Sequence, residues 1–342
     1  MSAAAASGGA GWLLGPLQAL VDDPAVTDVL VNGADGVWVD RGAGPERVRL
    51  DLGDEASVRA LAVRLAAVAG RRLDENRPWV DARLPDGVRL HAVVPPVAPA
   101  GTHLSLRVLR PGRFDLAALE AAGSVAPRWR PVLDALVAAR AAFLVTGGTG
   151  AGKTTLLAAL LSTVPPAERI VLVEDVGELR PRHPHVVRLE ARHANVEGRG
   201  EVTLAELTRQ ALRMRPDRLV VGECRGPEVR DLLAALNTGH AGGCATVHAN
   251  AAAEVPARLE ALGSTAGMSA VAVAAQAAAA FDAVLHVRRR QGHRHLAELA
   301  VVGRTVAGTL HVEPAASWHG TGEPSVHRPG WDELCARLGL AP

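Results

Sequence analysis

The chain has 342 residues, enough for two domains with hydrophobic cores of their own. Its 37 Lys and Arg against 36 Asp and Glu leave a formal net charge of +1, so no global field draws it to nucleic acid or anionic lipid. Aromatic side chains are 3% of the chain and tyrosine is absent, which argues against a stacking platform for single-stranded nucleic acid and leaves Ala, Val and Leu to build the core.

Residues 1–11, which after Met1 are Ala, Ser and Gly without a basic start, read as a flexible, disordered tail and not as a signal peptide. A small α+β domain is expected over residues 12–111. In it Val29-Leu30-Val31 and Val37-Trp38-Val39 flank Asn32-Gly33, a hairpin signal. A helix follows from about Glu55 to Ala69, with Val58, Leu61, Leu65 and Val68 at helical spacing, Asp54 as N-cap and Gly70 just past the end. Arg89–Val94, stopped by Pro95-Pro96, and Leu104–Val108 read as further strands. Strands and a helix without strict alternation suggest an α+β module.

Pro111-Gly112 opens an expected linker over 112–124. From 125 to 312 apolar strands alternate with helices, the pattern of an α/β domain whose sheet is covered on both faces. Strands are predicted at Phe143–Thr146, Ile170–Glu174, Val186–Leu189, Leu219–Gly222, Cys244–His248, Val284–Val287 and Leu296–Val302. Residues 313–342, rich in Pro, Gly, Ser and His, read as a flexible tail with a short closing helix over Trp331–Leu340. The most apolar stretch, Ala270–Phe281, is short, Ala-rich and interrupted by Gln276, so no membrane span is expected. Cys224, Cys244 and Cys335 show no C-x-x-C spacing, so neither a disulfide framework nor a cysteine zinc site is indicated, which suits a reducing cytosol.

Gly147-Gly148-Thr149-Gly150-Ala151-Gly152-Lys153-Thr154 fits the phosphate-loop pattern G-x-x-x-x-G-K-[ST] at every fixed position. A buried strand precedes it and a helix starting near Thr155 follows. Glycines let successive N–H groups turn inward around phosphates, and the helix N-terminus adds a favourable dipole. Lys153 would reach the β- and γ-phosphates of ATP and the Thr154 hydroxyl would ligate Mg²⁺. Leu219–Gly222 ends in Glu223, a strand-end carboxylate placed to serve metal and water and the first choice of catalytic acid/base. A second apolar strand ends in Glu174, Asp175 and Glu178, where carboxylates suit metal coordination or water positioning. His240 and His248 lie at either end of a glycine-containing loop and strand, where one could sense the γ-phosphate. His183, His185 and His193 read as solvated loop residues, and Arg288–His295 as a solvated basic hairpin.

Together, in this order, these segments resemble the secretion and traffic ATPases of type II and type IV secretion and of type IV pili. Glu174-Asp175 to Glu178 resembles the family's Asp box, Leu212–Arg218 with Gly222–Glu228 its Walker B region, and Thr238–Asn250 its His box. Val80–Gly87 and Thr246–Asn250 look most like the Tad/Flp pilus branch and the conjugation-type ATPases near it. The resemblance implies a RecA-like P-loop ATPase domain behind the small N-terminal domain, and a homo-hexamer with ATP at the junction of the two domains. It also implies a cytoplasmic motor docked on an integral membrane platform protein. One of Arg83, Arg89 and Arg107 is then expected to complete the site by neutralising the γ-phosphate. Departures are Val176-Gly177 in the Asp box, Ala241-Gly242-Gly243 in the His box, and the absence of a four-cysteine zinc element. A nucleic-acid translocase of the same fold and a nucleotide-binding scaffold with little turnover stand as alternatives.

Overall fold

The computed structural model describes residues 13–108, 114–192 and 199–341. The N-terminal tail, Pro111-Gly112 and His193 fall outside them. The chain divides into two compact units, Met1–Arg110 and Pro111–Pro342.

The first unit holds α1 (Gln18–Asp22), β1 (Asp28–Asn32), β2 (Val37–Asp40), β3 (Pro45–Val48), α2 (Glu55–Val68), β4 (Trp79–Arg83), β5 (Arg89–Val93) and β6 (His103–Arg107). Its sheet is antiparallel throughout, in the order β3-β2-β1-β6-β5-β4. Alternation does the sorting: Val29, Val31, Val37, Val39, Leu90, Ala92, Leu104 and Leu106 enter one core with Val58, Leu61 and Leu65 of α2. Asp54 caps α2 as the sequence implies, its carboxylate accepting from the Ser57 N–H at 2.9 Å. The expected hairpin is present, but Gly33–Asp35 form a short 3₁₀ turn in place of a two-residue loop.

The second unit contains α3 (Leu116–Ala121), α4 (Arg130–Ala138), β7 (Phe143–Thr146), α5 (Lys153–Leu161), β8 (Ile170–Glu174) and β9 (Val186–Glu190). Then come α6 (Leu204–Ala211), β10 (Arg218–Val221), α7 (Glu228–Asn237), β11 (Cys244–Val247), α8 (Val255–Thr265) and α9 (Ala270–Ala280). It closes with β12 (Ala283–Arg290), β13 (His293–Arg304), β14 (Leu310–Ser317), β15 (Ser325–Val326) and α10 (Gly330–Leu338). Nine strands run in the order β15-β14-β13-β12-β7-β11-β10-β8-β9. From β12 to β9 they are parallel, and β13 to β15 extend the sheet antiparallel. Successive residues of β7 show why the strands are apolar throughout. Phe143 and Val145 face α3, α4, α5 and α10, while Leu144 faces α6 to α9.

Two expectations about the chain's joints do not hold. The 112–124 stretch is not a bare linker: Asp115 accepts from the Ala118 N–H at 2.8 Å and starts α3, whose Leu116 and Leu119 are buried. Nor is 313–342 a tail, because Leu310–Ser317 pairs along β13, and Leu334, Cys335 and Leu338 of α10 are buried in the core. The short closing helix expected over Trp331–Leu340 is present as α10, whereas β14, which pairs with both β13 and β15, was concealed by its polar composition. His183 and His185 are hydrogen-bonded to the segment before β8, to the Pro165 carbonyl at 3.0 Å and to the Arg169 side chain at 2.8 Å. All three cysteines are buried and free, and among the described residues no single helix is long and apolar enough to cross a membrane.

Candidate functional site

The loop between β7 and α5 turns where β7 stops. Gly147, at φ +150°, lies so close to β12 that a Cβ there would stand 2.4 Å from the Val287 carbonyl oxygen. Lys153 opens α5 and folds back, its Nζ donating to the carbonyls of Gly147 at 2.9 Å and Gly148 at 3.1 Å. Burial pushes the Lys153 ammonium below its ordinary pKa, while the charges of Glu223 and Glu178 pull it back up. The two carboxylates predicted to act here are thus within electrostatic reach of the lysine. Thr149, Gly150 and Thr155 are exposed and Thr154 is half-buried, so this rim of the loop is open.

Glu223 is exposed on a loop that is otherwise pinned. The Thr246 hydroxyl donates to the Gly222 carbonyl at 2.6 Å, and the Cys224 N–H donates to the Thr246 carbonyl at 2.8 Å. The buried Glu228 carboxylate accepts from the N–H groups of Arg225 at 2.6 Å and Gly226 at 2.8 Å, and Arg225 pairs with Asp175. Gly222 must be glycine because a Cβ would stand 2.6 Å from Glu174 Cγ.

Glu174 and Asp175, expected as metal ligands, both have partners within the chain. Glu174 is 3% exposed, and its Oε1 accepts from the N–H groups of Glu178 at 2.9 Å and Leu179 at 2.8 Å. It therefore anchors the loop that carries Glu178. Its Oε2 is buried without a partner, and burial raises its pKa. Asp175 is engaged by Arg225. Among the described residues no three His, Cys, Asp or Glu converge as a metal site.

The histidines separate. His248 follows β11 at the end of the sheet where β7 gives way to the loop, Val247 pairing with Thr146. His240 precedes β11 at the opposite edge and bonds the Ala235 carbonyl through Nδ1 at 3.2 Å, closing α7. His240 and His248 thus lie at opposite ends of β11, and His248 is the one on the side of the loop.

Arg83, Arg89 and Arg107 share one feature that sequence reading missed. In the first unit Arg83 pairs with Arg89 across β4 and β5, Arg89 with Arg107 across β5 and β6, and Arg107 with Asp28 across β6 and β1. Directly paired residues point to the same side, so the three guanidinium-bearing residues form one row on the face away from the core. Arg107 donates to Asp28 at 3.0 Å at the row's end. Only the register reveals the row.

Two further residues beside the loop escaped notice. His286 is buried beneath it, hydrogen-bonded to the Thr146 hydroxyl at 3.0 Å, and burial lowers its pKa to about 4. Arg294, in the hairpin expected to be merely solvated, donates through Nε to the Gly150 carbonyl at 2.8 Å.

Comparison with known proteins shows the family. The family model described as type II/IV secretion system protein matches residues 13–312. A putative conjugal transfer protein of Mycobacterium tuberculosis is 59% identical over 312 residues, covering 89% of this chain and 88% of its own. Protein VirB11 of Agrobacterium fabrum is 33% identical over 268 residues, covering 69% and 76%. The structure of the pilus retraction motor PilT with bound ADP superposes with a TM-score of 0.57 at 21% identity, covering 83% of this chain and 81% of that one. The second unit has the RecA-like P-loop fold, preceded by an N-terminal domain, and the chain belongs to the type II/IV secretion system protein family, with relatives in type IV secretion and conjugal transfer.

Proposed function

We propose that the protein is an Mg²⁺-dependent ATPase working as a homo-hexameric motor, which powers pilus assembly, protein secretion or conjugal transfer from the cytoplasmic side through an integral membrane platform protein. The observation that carries this reading is the partly buried Lys153 ammonium, bonded to loop carbonyls while Glu223 and Glu178 act on its charge. Such a cation holds phosphate oxygens, and the glycine-rich loop offers N–H groups beside it. Thr154 and Glu223 would hold Mg²⁺, which when bound supplies positive charge to the transferring phosphoryl group. Glu223 orients and deprotonates the attacking water, with Glu178 assisting from a loop that Glu174 anchors. His248 reads nucleotide state at the end of β11. One arginine of the row Arg83, Arg89 and Arg107 completes the charge around the γ-phosphate. Within the family we place the chain nearest the Tad/Flp and conjugation-type branch, on Val80–Gly87 and Thr246–Asn250.

Steady-state hydrolysis at a concentration that permits ring formation tests this. Lys153→Ala should abolish nucleotide binding and turnover together. Glu223→Gln should still bind ATP while cleaving it about 10²- to 10⁴-fold more slowly, the usual worth of a positioned acid/base. Unchanged turnover in Glu223→Gln would move the role to Glu178, and a wild-type protein that binds no ATP would end the reading.

A further inference from the structure

β12 outruns β7. The two are in parallel register as far as His286 opposite Thr146, and there β7 gives way to the glycine-rich loop. β12 continues through Val287 to Arg290, turns at Gln291-Gly292 and returns as β13. Arg294 pairs with Arg289, so it stands three residues beyond the end of β7, roughly 10 Å along the loop. A β-bulge lies between His286 and Val287, where Ala297 is left over on β13. One extra residue exchanges the faces of all that follow it, and bulges re-aim side chains beside sites.

The backbone that carries Arg294 is held on both sides. The Leu296 N–H donates to the Ser124 carbonyl at 2.8 Å, and His293 Nε2 donates to the Gly123 carbonyl at 2.9 Å. His293 stacks on His295 at a centroid distance of 5.8 Å, and His295 meets Trp318 edge-on at 5.8 Å. From this support the side chain crosses the loop. Its Cδ would be 3.6 Å from a Cβ at Gly152, and its Nε donates to the Gly150 carbonyl at 2.8 Å. Gly150 and Gly152 both occupy the left-handed region, at φ +69° and +103°, where a backbone has alternatives nearby.

In a trans peptide the C=O and the following N–H point to opposite sides. Holding the Gly150 carbonyl outward therefore turns the Ala151 N–H inward, where it donates to the Gly148 carbonyl at 3.3 Å on the side Lys153 occupies. We propose that Arg294 is a positioning residue that clips the Gly150 carbonyl and so holds the Ala151 N–H toward bound phosphate, setting nucleotide affinity and leaving the cleavage step alone. It rests on the ATPase reading above. Because the clip comes from the antiparallel extension, whatever moves the β12–β13 hairpin also changes nucleotide affinity.

The test is ADP affinity, KM and kcat for the full-length protein beside Arg294→Met and Arg294→Lys. Met keeps the apolar stem along Gly152 and removes the donor. Losing a charge-assisted hydrogen bond should weaken ADP binding and raise KM about tenfold or more, with kcat within about twofold. Lys should recover part of the affinity, being a donor without the planar fork. Unfolding temperature without nucleotide should hold in both. Unchanged ADP affinity in Arg294→Met overturns the proposal, as does a fall confined to kcat or to thermal stability. If wild type itself binds no ADP, the ATPase reading fails and this one fails with it, whereas wild-type binding matched by Arg294→Met defeats only the clip.

Discussion

Glu168 and Glu174 bracket β8, the one two residues before it and the other its last residue, and they live under opposite rules. Burial alone would push the Glu168 pKa up, but Arg218 at 2.6 Å and Arg140 at 3.3 Å hold it below the ordinary value. Arg218, 2% exposed, also donates to the Val137 carbonyl at 2.9 Å, and Asp217 accepts from the Arg169 N–H at 2.8 Å. Glu168, Arg140, Arg169, Asp217 and Arg218 all find partners at that end of the sheet. At the other edge burial raises the Glu174 pKa, one of its oxygens has no partner, and Lys153 makes do with carbonyls. A protein can leave charge unsettled where a ligand will settle it, provided the rest of the framework holds. On this reading one end of the sheet is the framework and the other is the proposed site.

The sharpest way to break that division is Gly147→Ala. A methyl 2.4 Å from the Val287 oxygen, at φ +150°, displaces the loop by more than a catalytic geometry tolerates. Turnover should fall by about a hundredfold or more, since an ångström of misplacement costs that much. Unfolding free energy should drop by only about 1–3 kcal/mol. Near-wild-type hydrolysis would mean that the close approach is not what shapes the loop.

Arg218→Ala should give the reverse split. It leaves Glu168 with Arg140 as its remaining partner and the Val137 carbonyl without its donor, a loss of about 1–3 kcal/mol for the unmet buried acceptor. Where the variant remains folded, ADP affinity should stay within about twofold, because distant sites add independently. Denaturant unfolding and ADP titration read the two quantities separately. Affinity falling in step with stability would show the edges to be coupled through β8 and β10.

The phosphate loop was legible because its chemistry needs fixed glycines and a lysine in a row, flanked by strand and helix. The central strands were legible as continuous apolar runs. What sequence could not supply was register. Arg83, Arg89 and Arg107 are 24 residues apart end to end, yet only pairing places them in one row. Arg294 read as solvent-facing because hairpin composition says nothing of how far β12 overshoots β7. His240 and His248 looked alike in a motif, while a four-residue strand sends them to opposite edges. The glycines of the His box, a departure from the family pattern, have a steric reason: a Cβ at Gly242 would lie 2.5 Å from Arg218 Nη1. The start of 313–342 was misread as tail because Glu313, Pro314 and Ser317 break the apolar run that marks a central strand, although β14 pairs on both sides.

The smallest expected effect is the most discriminating, because it sets the two glutamates against each other by pH. The Glu168 pKa is lowered on folding, so its contribution to stability is present above the unfolded value and is lost as pH falls through the folded one. The Glu174 pKa is raised, so its contribution is present below the unfolded value and is lost as pH rises through the folded one. Glu168→Gln should therefore be less stable than wild type near neutrality, with the gap closing toward acid. Glu174→Gln keeps an oxygen for the Glu178 and Leu179 N–H groups and sheds a buried charge. It should match or exceed wild type near neutrality by about 1 kcal/mol or less, with the gap again closing toward acid from the other side. Urea unfolding from pH 4 to 8 measures both slopes, and two slopes of the same sign would refute the contrast between the edges. The same Glu174→Gln protein should hydrolyse ATP within a few-fold of wild type if Glu174 anchors the loop, whereas a loss of two orders of magnitude would return it to the metal.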